Sequence, residues 1–224
     1  MKYIRNLSKK DGNVPSVSPQ INKDNRPLVG LLLMLNGRKY CAPLSSPKAK
    51  HHTMKENADF LKVYDKHSVI IAVINFNNMI PVEDSVISQV DVIIRPSDRP
   101  NVRYYKGLLN NQIDWCNQNS EKIIKKAQRL YQTVTNPNKN TSIQLLKRCC
   151  NFAVLERELD KYVGNYLYFK TDARGIEQLK GIDAQIEIHN AKEKGYYIVR
   201  TIVSDAETVA HALHQNLPEN KISK

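Results

Sequence analysis

The chain is expected to be an α+β protein, a compact antiparallel β-core with helices packed beside it. Three observations predict this. Apolar, β-branched runs concentrate between positions 28 and 94, helical periodicity concentrates between 105 and 163, and Asn36-Gly37 joins the first two apolar runs. Strand-rich segments followed by helix-rich ones, without alternation, are the pattern of an α+β domain. Asn-Gly favours an antiparallel hairpin because both residues tolerate the positive φ of a type I′ turn.

Taken in order, residues 1–27 are polar and punctuated by Gly12, Pro15, Pro19 and Pro27, which predicts a loop-rich arm. The run 28–35 reads as a buried strand and 38–42 as its return strand, ended by Pro43, which has no N–H to give a ladder. The chain then leaves the sheet through Leu44-Ser45-Ser46-Pro47-Lys48. Residues 61–64 and 68–75 read as strands, the second apolar enough for a central position. Further β-rich pieces fill 82–94, among them VDVII at 90–94.

Tyr105, Leu108, Leu109, Gln112, Ile113 and Cys116 recur at helical spacing. Ser120 is placed to cap a second helix that buries Ile123, Ala127, Leu130, Tyr131 and Val134. Its other face carries Lys122, Lys125, Lys126 and Arg129, with Glu121 the only acid nearby in sequence. Such a row is either a solvated face or a surface for phosphates. A short helix starts at Thr141 or Ser142, and Asn151 caps another with Phe152, Leu155, Leu159 and Val163 on one face, stopped by Gly164. Beyond a main domain over 1–163, a βαββα extension is expected over 164–224. It comprises a strand at 166–170, a helix at 173–179 and a hairpin of 184–189 with 196–203. A last helix is opened by a Ser204-Asp205-Ala206-Glu207 capping box and runs to His214.

The 224 residues include 34 Lys+Arg against 22 Asp+Glu, a formal charge of +12, which favours a polyanionic partner. No apolar run approaches the ~20 residues that span a bilayer, and MKYIRNLSKK lacks the apolar stretch of a signal peptide. A cytoplasmic protein with no membrane partner is expected. Cys41, Cys116, Cys149 and Cys150 lack metal-ligand or disulfide-framework spacing and read as reduced core thiols. His51-His52 is a poor chelating pair, because neighbouring side chains on a strand or helix point apart.

Ser-Ser-Pro-Lys alone is also an ordinary turn beside a solvated charge. Its context is more specific. GRKYCAPLSSPK at 37–48 resembles the signature of the ToxN/AbiQ family, the endoribonuclease toxins of type III toxin–antitoxin systems. The resemblance continues through INFNNMIPV at 74–82, YKGLLNNQIDWCNQNSEKIIKKAQRLY at 105–131 and CCNFAVLERELDKY at 149–162. It covers roughly seven-tenths of the chain in the right order, which chance matching of short motifs does not give. Relatives carry a further strand ahead of YIRNLSKKDGNVP, and no counterpart precedes that segment here.

The resemblance implies a β-core related to the MazF/Kid toxins. It implies RNA cleavage without a metal or cofactor, by in-line attack of a 2′-hydroxyl that leaves a 2′,3′-cyclic phosphate and a 5′-hydroxyl. Such chemistry needs proton transfer at both oxygens and neutralisation of a phosphorane. Ser45, Ser46 and Lys48 become the catalytic candidates, joined by Arg26, which stands where relatives have an RNA-contacting lysine. A gatekeeper charge beside an apolar strand is the alternative for Arg26. Lys39, Tyr40 and His51, with the row Lys122, Lys125, Lys126 and Arg129, become RNA-binding candidates, the row being expected to lie apart from the Ser45–Lys48 loop. His51 also stays open as a proton-transfer group. The implied partners are mRNA and a pseudoknot-like repeat antitoxin RNA in a closed protein–RNA hetero-oligomer, in a phage-defence system acting by abortive infection. DNA is not expected. The competing readings are a non-catalytic RNA-binding protein and a MazF-like toxin held by a protein antitoxin. A Ser/Lys hydrolase has weaker support: Ser45 and Lys48 do stand at Ser-x-x-Lys spacing, but no Gly-x-Ser-x-Gly elbow is present.

Overall fold

The computed structural model describes residues 2–15, 28–191 and 195–218. Two compact units divide within a helix, Met1–Leu155 and Glu156–Lys224. All strand pairing is antiparallel, with helices packed on the sheets.

The first unit contains α1 (Lys2–Ser8), β1 (Gly30–Leu35), β2 (Arg38–Ser45), α2 (Ala49–Thr53), β3 (Phe60–Tyr64), β4 (Ile70–Asn75) and β5 (Ile80–Pro81). Then follow α3 (Pro100–Gln118), α4 (Ser120–Thr135), α5 (Ile143–Arg148) and the start of α6 (Phe152–Val163). The strands run β1-β2-β4-β3, with β5 on β2. Asn36 and Gly37 have φ of 48° and 75°, and Leu35 faces Arg38, as a two-residue type I′ hairpin requires.

The first correction concerns β2, which does not end at Pro43. It continues to Ser45, pairing with β1 along one edge and changing partner on the other, from β5 at Tyr40 and Cys41 to β4 at Leu44 and Ser45. Leu44 N donates to Val29 O at 2.9 Å. Strand alternation therefore puts the missing donor of Pro43 on the opposite edge, in the gap where the partner changes.

Helix α1 replaces part of the expected arm. Tyr3 and Leu7 are buried, and the Tyr3 hydroxyl donates to Pro81 O at 2.7 Å. Asn13 Nδ2 donates to Lys147 O at 3.0 Å and Cys149 O at 2.9 Å, so the following turn is tied to the end of α5.

Residues 82–94, expected to carry β pieces, form no strand. Side chains satisfy the backbone there instead. Asn110 Nδ2 donates to Val92 O at 3.1 Å, Lys106 Nζ to Ile93 O at 2.8 Å, and Ile93 N to Asp91 Oδ1 at 3.0 Å. This shifts the buried stripe of α3 to Lys106, Leu109, Gln112 and Cys116, leaving Tyr105 and Ile113 exposed. Lys106 tolerates burial because Asp91 and Asp98 lie 3.1 and 3.0 Å from its Nζ. Helix α4 buries Ile123, Ala127, Leu130 and Tyr131. Ser120 is its first residue and not its cap. Asn119 stands before it, with its side chain held by Trp115 O at 2.9 Å.

Tyr40 of β2, Tyr131 of α4 and Phe152 of α6 form an aromatic cluster. The Tyr40 ring meets both others edge-on at 5.7 Å, and Tyr131 stacks on Phe152 at 5.6 Å. Such pairs contribute about 0.5–1.5 kcal/mol each beyond their buried area. The four cysteines are buried free thiols, and burial pushes Cys41 up to about 11, so no thiolate forms there at neutral pH.

The second unit continues α6 and adds β6 (Tyr166–Thr171), α7 (Ala173–Gln178), β7 (Ile186–Ala191), β8 (Tyr196–Ile202) and α8 (Ala206–Ala212). Its sheet runs β6-β8-β7 and packs one face on Leu179, Val209, Ala210 and Leu213 through Phe169 and Val199. Gly164, at φ 72°, ends α6. The Ser204 capping box does not form: a 3-10 turn over Val203–Asp205 precedes α8. The Asp205 carboxylate is committed to Arg157 Nε at 2.9 Å and Gln185 N at 2.6 Å. No helix among the described residues is long and apolar enough to cross a membrane.

Candidate active site

Ser45 is the last residue of β2 and Asn75 the last of β4. The half-buried Ser45 hydroxyl accepts the Asn75 side-chain amide at 3.0 Å. One lone pair is thereby used, and the Ser45 O–H stays available to donate outward. Ser46 follows with its side chain exposed, Pro47 fixes the backbone, and exposed Lys48 leads into α2. Two hydroxyls and a cation thus leave the edge of a rigid sheet together, an arrangement suited to gripping an oxyanion.

His51 supports this loop from beneath. It is buried, its ring lies 5.5 Å from that of Phe60, and its Nδ1 accepts the Lys48 backbone N–H at 2.9 Å. Accepting at Nδ1 requires the neutral imidazole with its proton on Nε2. Burial foremost, then the charges of Lys50, Lys48, His52 and Lys62, lower its pKa from the ordinary 6.5. His51, expected as an RNA-binding residue, is thus buried and anchors the Lys48 main chain.

The remaining expected residues divide. Tyr40 has no exposed surface and sits in the aromatic cluster, so its ring serves packing and is not offered to a ligand. Lys39 lies six residues before Ser45 on the same strand, roughly 20 Å away at strand rise, and its Nζ is bound to both oxygens of Asp84 at 2.6 and 2.7 Å. Arg26 lies outside the described residues.

The α4 row borders an open cleft of about 570 Å³ lined by Ala58, Lys122, Lys125, Lys126 and Arg129. Its cations are not equivalent. Lys122 Nζ pairs with Glu56 at 3.2 Å, and Lys125 pairs with Glu121 one turn away. Lys126 is half-buried; burial lowers its pKa, Glu56 opposes this, and Lys122 adds to it. Arg129 is exposed. Glu56 also accepts the Lys62 N–H at 3.1 Å, and Lys62 Nζ donates to His52 O at 3.4 Å. Glu56 and Lys62 thus link Lys122 of the row to His52 of α2.

Sequence reasoning missed Asn75, Lys62 and Glu56. Asn75 ends an apolar strand inside INFNNMIPV, where a lone polar side chain is a usable signal. Lys62 is a buried cation with its Nζ on a carbonyl. Glu56 acts across a sequence separation of 66 residues, which no local pattern reveals. Among the described residues, no group of three or more His, Cys, Asp and Glu is arranged to hold a metal ion.

Compared with known proteins, residues 1–160 match the family model described as Toxin ToxN, type III toxin–antitoxin system. The chain is similar to Endoribonuclease ToxN of Bacillus thuringiensis subsp. kurstaki, being 30% identical over 166 residues, 72% of this chain and 80% of that protein. It is likewise 30% identical to Endoribonuclease ToxN of Pectobacterium atrosepticum over 162 residues, 70% of this chain and 86% of that one. It also resembles a solved structure from work on selective toxin inhibition by a non-coding RNA pseudoknot in bacterial type III toxin–antitoxin systems. That likeness has a TM-score of 0.59 and 28% identity, over 72% of this chain and 93% of the other.

The His51 geometry makes a pH prediction. Its lowered folded pKa means the unfolded chain binds the extra proton more readily. Its contribution to stability is thus present above about pH 6.5 and is lost as pH falls through the folded value. An NMR titration should give a His51 midpoint below 6.5, with faster exchange of the Lys48 amide once the ring is protonated. A midpoint at or above 6.5 contradicts the neutral anchor.

Proposed function

We propose, from the premise that the chain belongs to the ToxN toxin family of type III toxin–antitoxin systems, that it is an endoribonuclease toxin restrained by a non-coding antitoxin RNA. The observation that carries its active site is the end of β2: the Ser45 hydroxyl, held by Asn75 at 3.0 Å, immediately before Ser46, Pro47 and Lys48.

In this reading a 2′-oxygen attacks the adjacent phosphorus, losing its proton as the new bond forms. The bond from phosphorus to the 5′-oxygen breaks, and that oxygen takes up a proton. The products are a 2′,3′-cyclic phosphate and a 5′-hydroxyl. Ser45 and Ser46 donate to the non-bridging oxygens, and Lys48 neutralises the charge that grows on them. Lys62, in register with Ser45 across β4 and acting on His51, adds positive potential. We take the chemistry to need no metal, because hydroxyls and cations act on phosphate oxygens directly. Arg26 remains a proposed phosphate contact. The α4 row, with Lys126 and Arg129 its least committed members, is assigned to RNA phosphates.

The reading includes mRNA as substrate, a cytoplasmic site of action in phage defence, and a closed assembly with the folded antitoxin. It also includes kinship of the antiparallel core with MazF/Kid toxins and a C-terminal extension. The extension is supported by the end of the family match at residue 160 and by the strand, helix, strand, strand, helix order that follows.

Ser46→Ala should lower single-turnover cleavage at least about 100-fold, the usual cost of removing one oxyanion donor, while antitoxin RNA still binds. Cleavage at the wild-type rate by the folded variant would remove Ser46 from the mechanism.

Neutralising Lys126 and Arg129 together should flatten the salt dependence of antitoxin binding by roughly 0.7–0.9 in log–log slope per lost phosphate contact. Neutralising Lys122 and Lys125 should do less, because each already faces a glutamate. Equal, negligible effects from both double variants would make the row a solvated face.

A further inference from the structure

The sheet of the second unit has two unlike faces. Phe169 and Val199 point into its core. By strand alternation Tyr166, Tyr168 and Lys170 of β6 point the other way, as do Tyr196 and Arg200 of β8. Tyr168 stands opposite Arg200 in the ladder and is 52% exposed, midway along the edge strand β6.

The rings there are held by cations. Lys170 Nζ lies 4.0 Å from the centroid of Tyr196, and Arg200 Cζ lies 4.5 Å from that of Tyr166. Arg200 is also bound to Glu187 of β7 at 2.6 Å. Lys170 has no carboxylate partner among the described residues. At the Lys170 and Tyr196 end the face opens into a cleft of about 550 Å³ that Arg174 and His214 also line. The one acid lining it, Asp172, is turned to its own backbone, accepting the N–H groups of Arg174 and Gly175 at 3.0 Å each.

Tyrosine rings interleaved with cations on an open antiparallel sheet form a stacking platform for unpaired bases. The charges are those that attract a polyanion: two permanent cations on the face against one carboxylate, and a further arginine in the cleft.

We propose that this face binds single-stranded RNA, with bases stacked on Tyr168 and Tyr196 and the sugar–phosphate chain led past Lys170 to Arg174. The proposal rests on the reading of the chain as an RNA-cleaving toxin and extends it: the second unit gives the enzyme a hold on unpaired RNA outside the catalytic loop. The residues lie beyond the segment matched by the family model, which ends at 160.

The test uses the full-length protein and a fluorescein-labelled 2′-O-methyl oligouridylate of about ten nucleotides, within the span of one such platform. Without a free 2′-hydroxyl this probe is not cut by the proposed chemistry, so its binding is read independently of the Ser46 assignment. Ultraviolet crosslinking followed by peptide mapping should place the probe on Tyr168 or Tyr196. Tyr168→Ala should weaken binding about fivefold or more, the loss of one stacked base, whereas Tyr168→Phe should stay within about twofold. Tyr168 is half exposed, so its truncation leaves Phe169 and Val199 in place. Crosslinks confined to the first unit overturn the proposal and leave the catalytic reading intact. So do wild-type affinity in Tyr168→Ala, a Phe variant as weak as the Ala variant, or Tyr168-dependent self-association without probe binding. Cleavage at the wild-type rate by Ser46→Ala, with Tyr168 crosslinked as expected, instead defeats the catalytic assignment alone.

Discussion

The contact of Tyr40 with Tyr131 and Phe152 ties the central strand β2 to two helices. Much of the first unit follows from it. With Tyr40 directed into the core, alternation turns Lys39, Cys41 and Pro43 to the other face of β2 and brings Ser45 to its end on that same side. The side of Tyr131 that faces the cluster fixes the rotation of α4, and so turns Lys122, Lys126 and Arg129 away from the core. Burying a row of apolar side chains therefore also determines where the cations stand.

Charge compensation is the second constraint. The chain carries a formal +12, yet several of its cations are internally occupied. Lys106 is buried between Asp91 and Asp98 and replaces a strand partner for Ile93, which is why a β-rich stretch becomes ordered loop. Lys39 is held by Asp84, and Arg148 Nη2 donates to buried Asp59 at 3.1 Å. Among the described residues, Lys48, Lys50 and Lys62 around α2 and Arg129 beside the α4 cleft form no ion pair, whereas Lys122 pairs with Glu56. Glu56 joins the two regions. Positive potential at that surface depends more on which carboxylates fold elsewhere than on the total charge.

What was legible in the sequence is what local chemistry decides. Asn36-Gly37 specified the first hairpin and its register, and the periodicity of α4 identified Ile123, Ala127, Leu130 and Tyr131 as buried, with Val134 only half-buried. Asn151 marked the start of α6, its side chain accepting Val154 N at 3.2 Å. The failures share one cause, long-range satisfaction of polar groups. Helix α1 is too short to hold alone and depends on Tyr3 reaching Pro81, 78 residues on. Pro43 reads as a strand end until the partner change on its unpaired edge is known. Tyr40 and His51 lie within or beside the signature that carries the resemblance, and sequence could not separate the residues that present the site from those beneath it. Ser45 to Lys48 are candidates readable from sequence, but Asn75, which holds the Ser45 hydroxyl, enters only through the pairing of β2 with β4.

The proposed function rests on attack by the RNA's own 2′-hydroxyl at a hydroxyl-and-cation site on the end of β2. It is tested most directly with an RNA substrate carrying a single 2′-deoxy nucleotide on the 5′ side of the scissile linkage. The β2 site predicts that this linkage stays intact while the all-ribose control is cut, leaving a 2′,3′-cyclic phosphate and a 5′-hydroxyl. Cleavage of the deoxy-substituted linkage, or products ending in a 3′-hydroxyl and a 5′-phosphate, would show that water or another nucleophile attacks and would contradict the assignment.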